Sequence, residues 1–135
     1  MRFQLLQVSI IKRILKDFKI PQNGKMDILE IGVYAGGNTL LIAKTLKKLN
    51  IKFQITCVDP WQAYDEEKYN QSLKFFYKKF NDSLKNGKVF ALYKHNLKSS
   101  GVEKHIRIIK KNSKSFFSNN SKKFNLIFID GSHKF

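Results

Sequence analysis

Three carboxylates in this chain stand at or near the end of a short apolar run, where they could accept hydrogen bonds or take up a proton. Glu30 lies within D-I-L-E-I-G-V-Y-A-G-G-N-T, Asp59 ends F-Q-I-T-C-V-D, and Asp130 ends F-N-L-I-F-I-D. A carboxylate is costly to bury without hydrogen-bond partners, so Glu30 indicates a polar loop or ligand beside its run. An acidic residue placed like Asp59, a few tens of residues after a glycine-rich turn, can accept hydrogen bonds from both hydroxyls of a ribose.

The first of these runs predicts a strand, a loop and the start of a helix. Residues 28–33 are rich in β-branched side chains and alternate little, which is typical of a parallel strand covered on both faces. Glycines at 32, 36 and 37 then allow positive φ angles or close backbone approach. Asn38 or Thr39 is predicted to cap a helix over residues 39–49. The predicted buried stripe of that helix consists of Leu40, Leu41, Ala43, Leu46 and Leu49.

A glycine-rich turn that leads into a helix offers free N–H groups and a positive dipole end to a ligand. The dinucleotide fingerprint G-x-G-x-x-G would need glycine at position 34, where this chain has Tyr34, so NAD and FAD are disfavoured. A phosphate-binding Walker loop needs Gly-Lys-Ser/Thr, and here Gly37 is followed by Asn38 and Thr39. A tight turn in some other α/β protein remains open at this point.

The pattern E-x-G-x-x-x-G, which begins at Glu30, resembles motif I of class I S-adenosylmethionine-dependent methyltransferases. The string F-N-L-I-F-I-D-G-S-H-K-F at the end of the chain resembles strand four and its loop in one group of that class, many of them small-molecule or sugar O-methyltransferases. The resemblance implies an α/β, Rossmann-like parallel sheet flanked by helices, with strands in the order 3-2-1-4. It also implies S-adenosylmethionine as the cofactor.

The resemblance further implies which side chains contact the cofactor, and for several of them a structural role competes. Asp59 would hold the ribose or be a turn aspartate, and Trp61 would pack on the base or belong to the core. Asn112 and Ser113 would surround the base or cap the next helix. The full set of implied cofactor contacts is Glu30, Gly32, Tyr34, Gly36, Asn38, Asp59, Trp61, Asn112 and Ser113.

For the reaction itself, the resemblance implies roles for two residues near the end of the chain. Asp130 would orient the acceptor hydroxyl or ligate a divalent cation such as Mg²⁺. His133 would serve as general base, because the unperturbed pKa of histidine lies near neutrality. One aspartate is not a metal site by itself, since a hard cation takes several oxygen ligands.

The pattern divides the chain into a leading helix with its linker, residues 1–24, and the first part of a cofactor-binding domain, residues 25–135. Helices are predicted over residues 1–20, 63–86 and 89–98, and later strands over 53–59, 106–110 and 124–130. The family's sheet has seven strands, of which this sequence supplies four. We therefore expect a truncated chain that is inactive alone and that self-associates through the exposed edge of strand four, residues 126–129.

The charge of the chain is strongly positive, yet its basic residues are dispersed. The net charge is +16, and among the 26 lysines and arginines only Arg2, Arg13 and Arg107 are arginine. Scattered lysines favour solvated faces, so a nucleic-acid partner is disfavoured although not excluded. The single cysteine, Cys57, argues against a disulfide framework and favours the cytoplasm. No apolar stretch is long enough to span a membrane, and no membrane partner is expected.

The leading interpretation is an enzyme that transfers a methyl group to a hydroxyl of a small molecule or sugar. A nucleic-acid methyltransferase is the first alternative, although the Asn/Asp-Pro-Pro-aromatic motif of amino-group methylases is replaced here by Asp-Gly-Ser-His at residues 130–133. A non-catalytic Rossmann-like remnant that binds a nucleoside is the second.

Overall fold

The computed structural model describes residues 13–14, 17, 24–63 and 71–131, with only the backbone described for 71–77. Within these ranges, four strands form one parallel sheet in the order β3-β2-β1-β4. The strands are β1 (Lys25–Ile31), β2 (Lys52–Val58), β3 (Ile106–Ile109) and β4 (Leu126–Ile129). This arrangement confirms the predicted Rossmann-like sheet and its strand order.

Four α-helices connect the described strands, and a 3₁₀ helix (Glu103–His105) directly precedes β3. The α-helices are α1 (Gly37–Lys48) between β1 and β2, α2 (Gln71–Lys85) and α3 (Lys88–Ser99) between β2 and β3, and α4 (Ser113–Ser118) between β3 and β4. The predicted helix over 63–86 is seen as α2 from residue 71 onward, and residues 64–70 lie outside the described part. Of the predicted leading helix only Arg13, Ile14 and Asp17 are described, and they are helical. No described helix is long and apolar enough to cross a membrane.

The sheet has a major face, which packs against α1 and α3. Side chains on a strand alternate between the two faces, and those that point to this one are Met26, Ile28, Glu30, Phe53, Ile55, Cys57, Ile106, Ile108, Leu126 and Phe128. Ile42 and Leu46 of α1 and Tyr93 and Leu97 of α3 are buried against them. The major face therefore holds most of the described core.

The opposite, minor face is covered much less. Its side chains are Leu29, Ile31, Thr56, Val58, Arg107, Ile109, Ile127 and Ile129. Phe116 of α4 packs on this face together with Phe124, which lies between α4 and β4. On β4, Ile127 is 47% exposed and Ile129 is 65% exposed. The apolar run of β4 thus has one side in the core and the other side open among the described residues.

The first residue of α1 and its set of buried side chains both differ from the prediction. The helix begins at Gly37 after an N-cap at Gly36 in the left-handed conformation, so neither Asn38 nor Thr39 caps it. The Thr39 hydroxyl instead donates to buried Glu30. The side chains buried along α1 are Thr39, Ile42, Ala43, Thr45 and Leu46, while Leu49 is 49% exposed. The predicted burial of Leu49 was wrong because α1 ends at Lys48, which places residue 49 after its last turn.

Candidate functional site

A cavity of about 340 Å³ lies at the carboxyl-terminal edge of the sheet, and we call it the edge cavity. Its lining consists of Ile31, Gly32, Tyr34, Val58, Asp59, Pro60, Gln62, Leu84, Asn112, Ser113, Ile129, Asp130 and Gly131. All four strands contribute their own ends or the residues that follow them. From β1 the chain builds the sheet in one direction through β2 and β3, whereas β4 lies on the other side. Open α/β sheets bind ligands at such a switch point.

The loop after β1 has its backbone N–H groups largely occupied within the protein. Val33 and Tyr34 donate to Asp59 Oδ2 at 2.8 and 3.0 Å. Gly32 donates to the Val58 carbonyl, and Gly36 donates to the Val33 carbonyl. The expectation that this turn presents free N–H groups to a ligand is therefore wrong for residues 32, 33, 34 and 36. In this loop the amides maintain the shape of the cavity wall.

The carbonyl side of the same loop is held by Trp61 and by two residues of α3, Tyr93 and Asn96, that the sequence analysis did not single out as site residues. Trp61 Nε1 donates to the Tyr34 carbonyl at 2.8 Å, and Asn96 Nδ2 donates to the Ala35 carbonyl at 3.1 Å. A Cβ atom at Gly36 would lie 2.5 Å from the Tyr93 ring, so glycine is required there for close packing as well as for its φ of +84°. Tyr93 and Asn96 lie on α3, and no local motif marks them, because their contacts are about 60 residues distant in the chain.

Asp59 has the turn role that the sequence left open, and its contact with the ribose stays a prediction. In addition to the two loop amides, its Oδ1 accepts a hydrogen bond from the Trp61 N–H at 2.7 Å, as a turn aspartate does. It also lines the edge cavity. An ionised carboxylate has about four acceptor sites, and three are used here. Asp59 can therefore still accept one hydrogen bond from a ligand hydroxyl while it braces the loop.

Trp61, predicted to contact the cofactor base, lies in the core instead. Its side chain is 4% exposed and stacks on Tyr93 with ring centroids 5.2 Å apart. Phe90 packs against its indole at 4.8 Å. The indole does not line the edge cavity, and it acts on that wall through its bond to the Tyr34 carbonyl. The core interpretation is the one that the geometry supports, because a large ring beneath the loop fills the space between β2 and α3.

Glu30 lies below the loop and does not line the edge cavity. Its side chain is therefore not placed to contact a ligand in that cavity. It is fully buried, its Oε2 accepts the Thr39 hydroxyl at 2.5 Å, and the Cys57 thiol lies 3.5 Å away. Its Oε1 has no hydrogen-bond partner. Burial raises the pKa of Glu30 from 4.5 to about 7, against the lowering effect of its hydrogen bonds. Burial also raises the pKa of Cys57 and of Tyr93, so both stay neutral.

The loops after β1 and β4 meet at the edge cavity. A Cβ atom at Gly32 would lie 2.5 Å from Gly131 Cα and 2.6 Å from the Asp130 carbonyl oxygen, and the φ of Gly32 is +82°. Asn38 Nδ2 donates to Asp130 Oδ2 at 3.0 Å. The amide of Asp130 donates to the Ile31 carbonyl at 2.8 Å. Asn38 thus orients the Asp130 carboxylate from the first turn of α1, and Asp130 lines the cavity.

The loop after β3 supplies two polar residues to the cavity. Asn112 Oδ1 accepts a hydrogen bond from the Ser115 N–H at 2.8 Å and so caps α4. Asn112 and Ser113 both line the edge cavity. The cap and the predicted cofactor position are therefore compatible for Asn112, because its side-chain amide N–H₂ group takes no part in the cap.

The described residues do not by themselves make a metal site. They contain no group of three histidine, cysteine or acidic side chains close enough to hold an ion. Asp130 has one amide neighbour, Asn38, whereas a hard cation takes six or more oxygen ligands. His133 lies outside the described residues, so its role as general base stays a prediction. The divalent cation at Asp130 stays a prediction as well.

Comparison with known proteins gives the chain its family. Residues 29–135 match the family described as a methyltransferase domain. The chain is similar to the S-adenosylhomocysteine-bound methyltransferase PaMTH1 of Podospora anserina, with 20% identity and a TM-score of 0.56 over 93% of this chain and 40% of that one. It is also similar to the O-methyltransferase NovP, with 15% identity and a TM-score of 0.57 over 93% of this chain and 53% of that one.

The chain thus spans about half or less of the length of these two solved structures, and at such identities the likeness establishes the fold. No curated protein matched the sequence. The family match covers most of the chain and includes the loop after β1, Asp59 and the end of β4. The chain belongs to the methyltransferase-domain family and has the Rossmann-like fold of the class I, S-adenosylmethionine-dependent methyltransferases.

Proposed function

We propose that this chain forms the cofactor-binding half of an S-adenosylmethionine-dependent methyltransferase that acts on a hydroxyl of a small molecule or sugar. The proposal rests on the position and lining of the edge cavity. It lies at the switch point of the sheet, and the loop after β1, Asp59 and Asp130 line it. The family match over residues 29–135 supports the same reaction class.

The size and lining of the edge cavity fit a nucleoside that bears an amino acid. A volume of about 340 Å³ lies within the range of roughly 300 to 1,000 Å³ that is usual for small-molecule sites. Val58, Leu84 and Ile129 offer apolar surface to a flat base. Asp59 offers a free acceptor position to a ribose hydroxyl, and Asp130 offers a carboxylate. The cavity thus has a polar and an apolar part, as such a ligand requires.

Bound S-adenosylmethionine would supply an activated methyl group on a sulfonium centre. The residues of this chain would fix its position, because an in-line displacement depends chiefly on the alignment of donor and acceptor. Asp59 would orient the ribose, and the braced backbone of residues 32–36 would form the wall beside the amino-acid part. Asn112 and Ser113 would lie beside the base.

The acceptor must lose a proton, and Asp130 is the described carboxylate placed to orient it. Asn38 holds one of its oxygens through a 3.0 Å hydrogen bond, which leaves the other oxygen for an acceptor hydroxyl. A group at the carboxyl end of β4 lies where ligands meet the sheet in this architecture. The hydroxyl acceptor is proposed from the Asp-Gly-Ser-His string at 130–133, and NovP, one of the similar structures, is an O-methyltransferase.

The test is an isothermal titration of the 135-residue chain with S-adenosylhomocysteine and, separately, with NAD. We expect saturable binding of S-adenosylhomocysteine only. In Asp59→Asn one carboxylate oxygen becomes an amide donor that faces other donors, so we expect affinity to fall by about tenfold or more. Asp82→Asn is the matched control, because it makes the same change on the exposed side of α2.

The outcomes separate the alternatives. Binding of NAD, or equal affinity in both variants, would overturn the proposed site. Binding of S-adenosylhomocysteine without turnover of any acceptor, in this chain and in longer versions of it, would favour the non-catalytic nucleoside-binding protein. A salt-sensitive complex with RNA or DNA would favour the nucleic-acid methyltransferase.

The location and partners of the chain are part of the same proposal. A cytoplasmic location is supported by Cys57, a free and buried thiol that is the single cysteine of the sequence. A second copy of the chain is proposed as a partner along β4, where Ile127 and Ile129 are exposed. Size-exclusion chromatography with light scattering would detect that dimer, and a monomer at all concentrations would exclude it.

A further inference from the structure

A second cavity, which we call the lateral cavity, lies on the minor face of the sheet and has a volume of about 180 Å³. Thr56 of β2 and Arg107 of β3 form part of its wall, and these two residues are paired in the sheet register. Lys111, Ser115 and Lys122 contribute from the segments around α4. No residue lines both the lateral cavity and the edge cavity. The two cavities are therefore separate sites.

The lateral cavity is lined by three cations and no carboxylate. Lys122 binds Asp27, with Nζ 2.8 Å from Oδ1, so one of the three charges is partly balanced. Neither Arg107 nor Lys111 forms an ion pair with any carboxylate among the residues whose side chains are described. Three like charges around one small space repel one another, and a bound anion would remove that repulsion.

Thr56 adds a buried hydrogen-bonding group that has no partner. The residue is 2% exposed, and its Oγ1 is among the few buried side-chain atoms in the described ranges that make no hydrogen bond. Buried hydroxyls in native proteins are nearly always paired. A ligand oxygen in the lateral cavity would accept this hydrogen bond. The orphaned hydroxyl thus points independently to a polar ligand in the cavity whose wall Thr56 shares with the three cations.

We propose that the lateral cavity binds an oxyanion of the phosphate class. A guanidinium presents a fork of donors that matches phosphate oxygens, and an ammonium adds a mobile charge. The volume is too small for a nucleoside and suits a single phosphate group. Ile109, Phe116 and Phe124 form an apolar floor, which would suit a phosphate carried on an apolar or aromatic group.

The probe is inorganic phosphate, titrated at constant ionic strength into the ¹⁵N-labelled 135-residue chain and followed by amide chemical shifts. We expect saturable shifts at the amides of Thr56, Arg107 and Lys111. In Arg107→Gln the dissociation constant should rise at least tenfold. In Lys44→Gln, which removes an equal charge from the exposed side of α1, it should change less than twofold.

Chemical shifts that grow linearly without saturation would overturn the site. An equal rise of the dissociation constant in Arg107→Gln and Lys44→Gln would do the same, because it would indicate only general attraction of phosphate to a basic protein. Thr56→Val gives a second, isosteric test. Because the hydroxyl makes no bond within the protein, the variant should fold normally and still bind phosphate several-fold more weakly. Unchanged affinity in this variant would also contradict the proposal.

Phenyl phosphate distinguishes the two sources of the anion. Binding several-fold tighter than inorganic phosphate, with shifts at Phe116 and Phe124, would support a phosphate monoester held over the apolar floor. Equal affinity would support free phosphate. Failure of S-adenosylhomocysteine to bind would leave these results unaffected, because the two cavities share no residue.

Discussion

The two faces of the sheet differ in how they are packed, and the difference separates the face whose helices support the loop after β1 from the face that remains partly open. On the major face, α1 and α3 bury a continuous core and also reach the loop after β1 through Tyr93 and Asn96. On the minor face, Phe116 and Phe124 cover β1 and β2, while Ile127 and Ile129 stay exposed.

The loop after β1, which forms part of the wall of the edge cavity, is held in shape by hydrogen bonds and packing within the protein. Its amides are bound by Asp59, its carbonyls by Trp61 and Asn96, and its Gly36 rests on a ring of α3. Changes on the major face should therefore alter both stability and ligand binding. Changes on the open part of the minor face should alter stability little, and four substitutions can test this difference.

The largest effect is expected for Gly36→Ala. The added Cβ would lie 2.5 Å from the Tyr93 ring, and the φ of +84° is unfavourable for alanine. Overpacking and left-handed strain together should cost about 4 kcal/mol of unfolding free energy. Gly37→Ala is the control, since its Cβ meets no atom within 4 Å and lies in the first turn of α1. Urea unfolding that showed equal losses in both variants would contradict this account of the loop.

The second-largest expected effect is a pH dependence of the unfolding free energy, which the raised pKa of Glu30 causes. Its pKa rises from 4.5 unfolded to about 7 folded, so between these values the folded state binds more protons. Stability should fall as pH rises through this window, by about 3 kcal/mol at roughly 1.4 kcal/mol per pKa unit.

Glu30→Gln removes that titration. The unfolding free energy of this variant should therefore change less with pH between about pH 5 and pH 8. Glu103→Gln, on an exposed side chain, should keep the slope of the unmodified chain. An unaltered slope in Glu30→Gln would show that the buried carboxylate does not titrate in this window.

A smaller effect, on ligand binding, is expected for Asn96→Asp. The ionised carboxylate cannot donate to the Ala35 carbonyl, and the two oxygens would repel each other. Affinity for S-adenosylhomocysteine should fall by about tenfold near pH 8, and it should recover on acidification, when the protonated carboxyl donates again. Asn86→Asp, at an exposed position after α2, is the matched control. Loss of affinity that did not recover at low pH would indicate a general structural defect.

The smallest effect on stability is expected for Ile129→Lys. The side chain is 65% exposed on the minor face of β4, so unfolding free energy should change by less than about 0.5 kcal/mol. Ile55→Thr, at a fully buried position on the major face, should cost about 2 kcal/mol or more. If copies of the chain pair along β4, light scattering should show that Ile129→Lys abolishes the dimer. A large loss of stability in Ile129→Lys would mean that this face is packed.

Much of the fold could be predicted because its information is local. Apolar runs such as residues 28–33 and 124–130 give strands, and glycines after β1 mark a turn. The order of the strands, which the resemblance to methyltransferases implied, is confirmed as well. The predicted set of cofactor residues stays a prediction, and it assumed that polar or aromatic side chains near strand ends face the ligand. Glu30 and Trp61 face the core, since strand alternation and the packing of α3 direct them there.

The sequence by itself determined the parallel sheet, its four strands and the presence of Asp59 and Asp130 at their ends. These follow from hydrophobic pattern and glycine placement, which act over a few residues. Only the tertiary structure decided that Asp59 braces the loop, that Asn38 holds Asp130, and that α3 supports Gly36. Only the tertiary structure joined Thr56, Arg107 and Lys111 around one cavity. Such contacts join residues far apart in the chain, and each depends on the relative positions of whole elements.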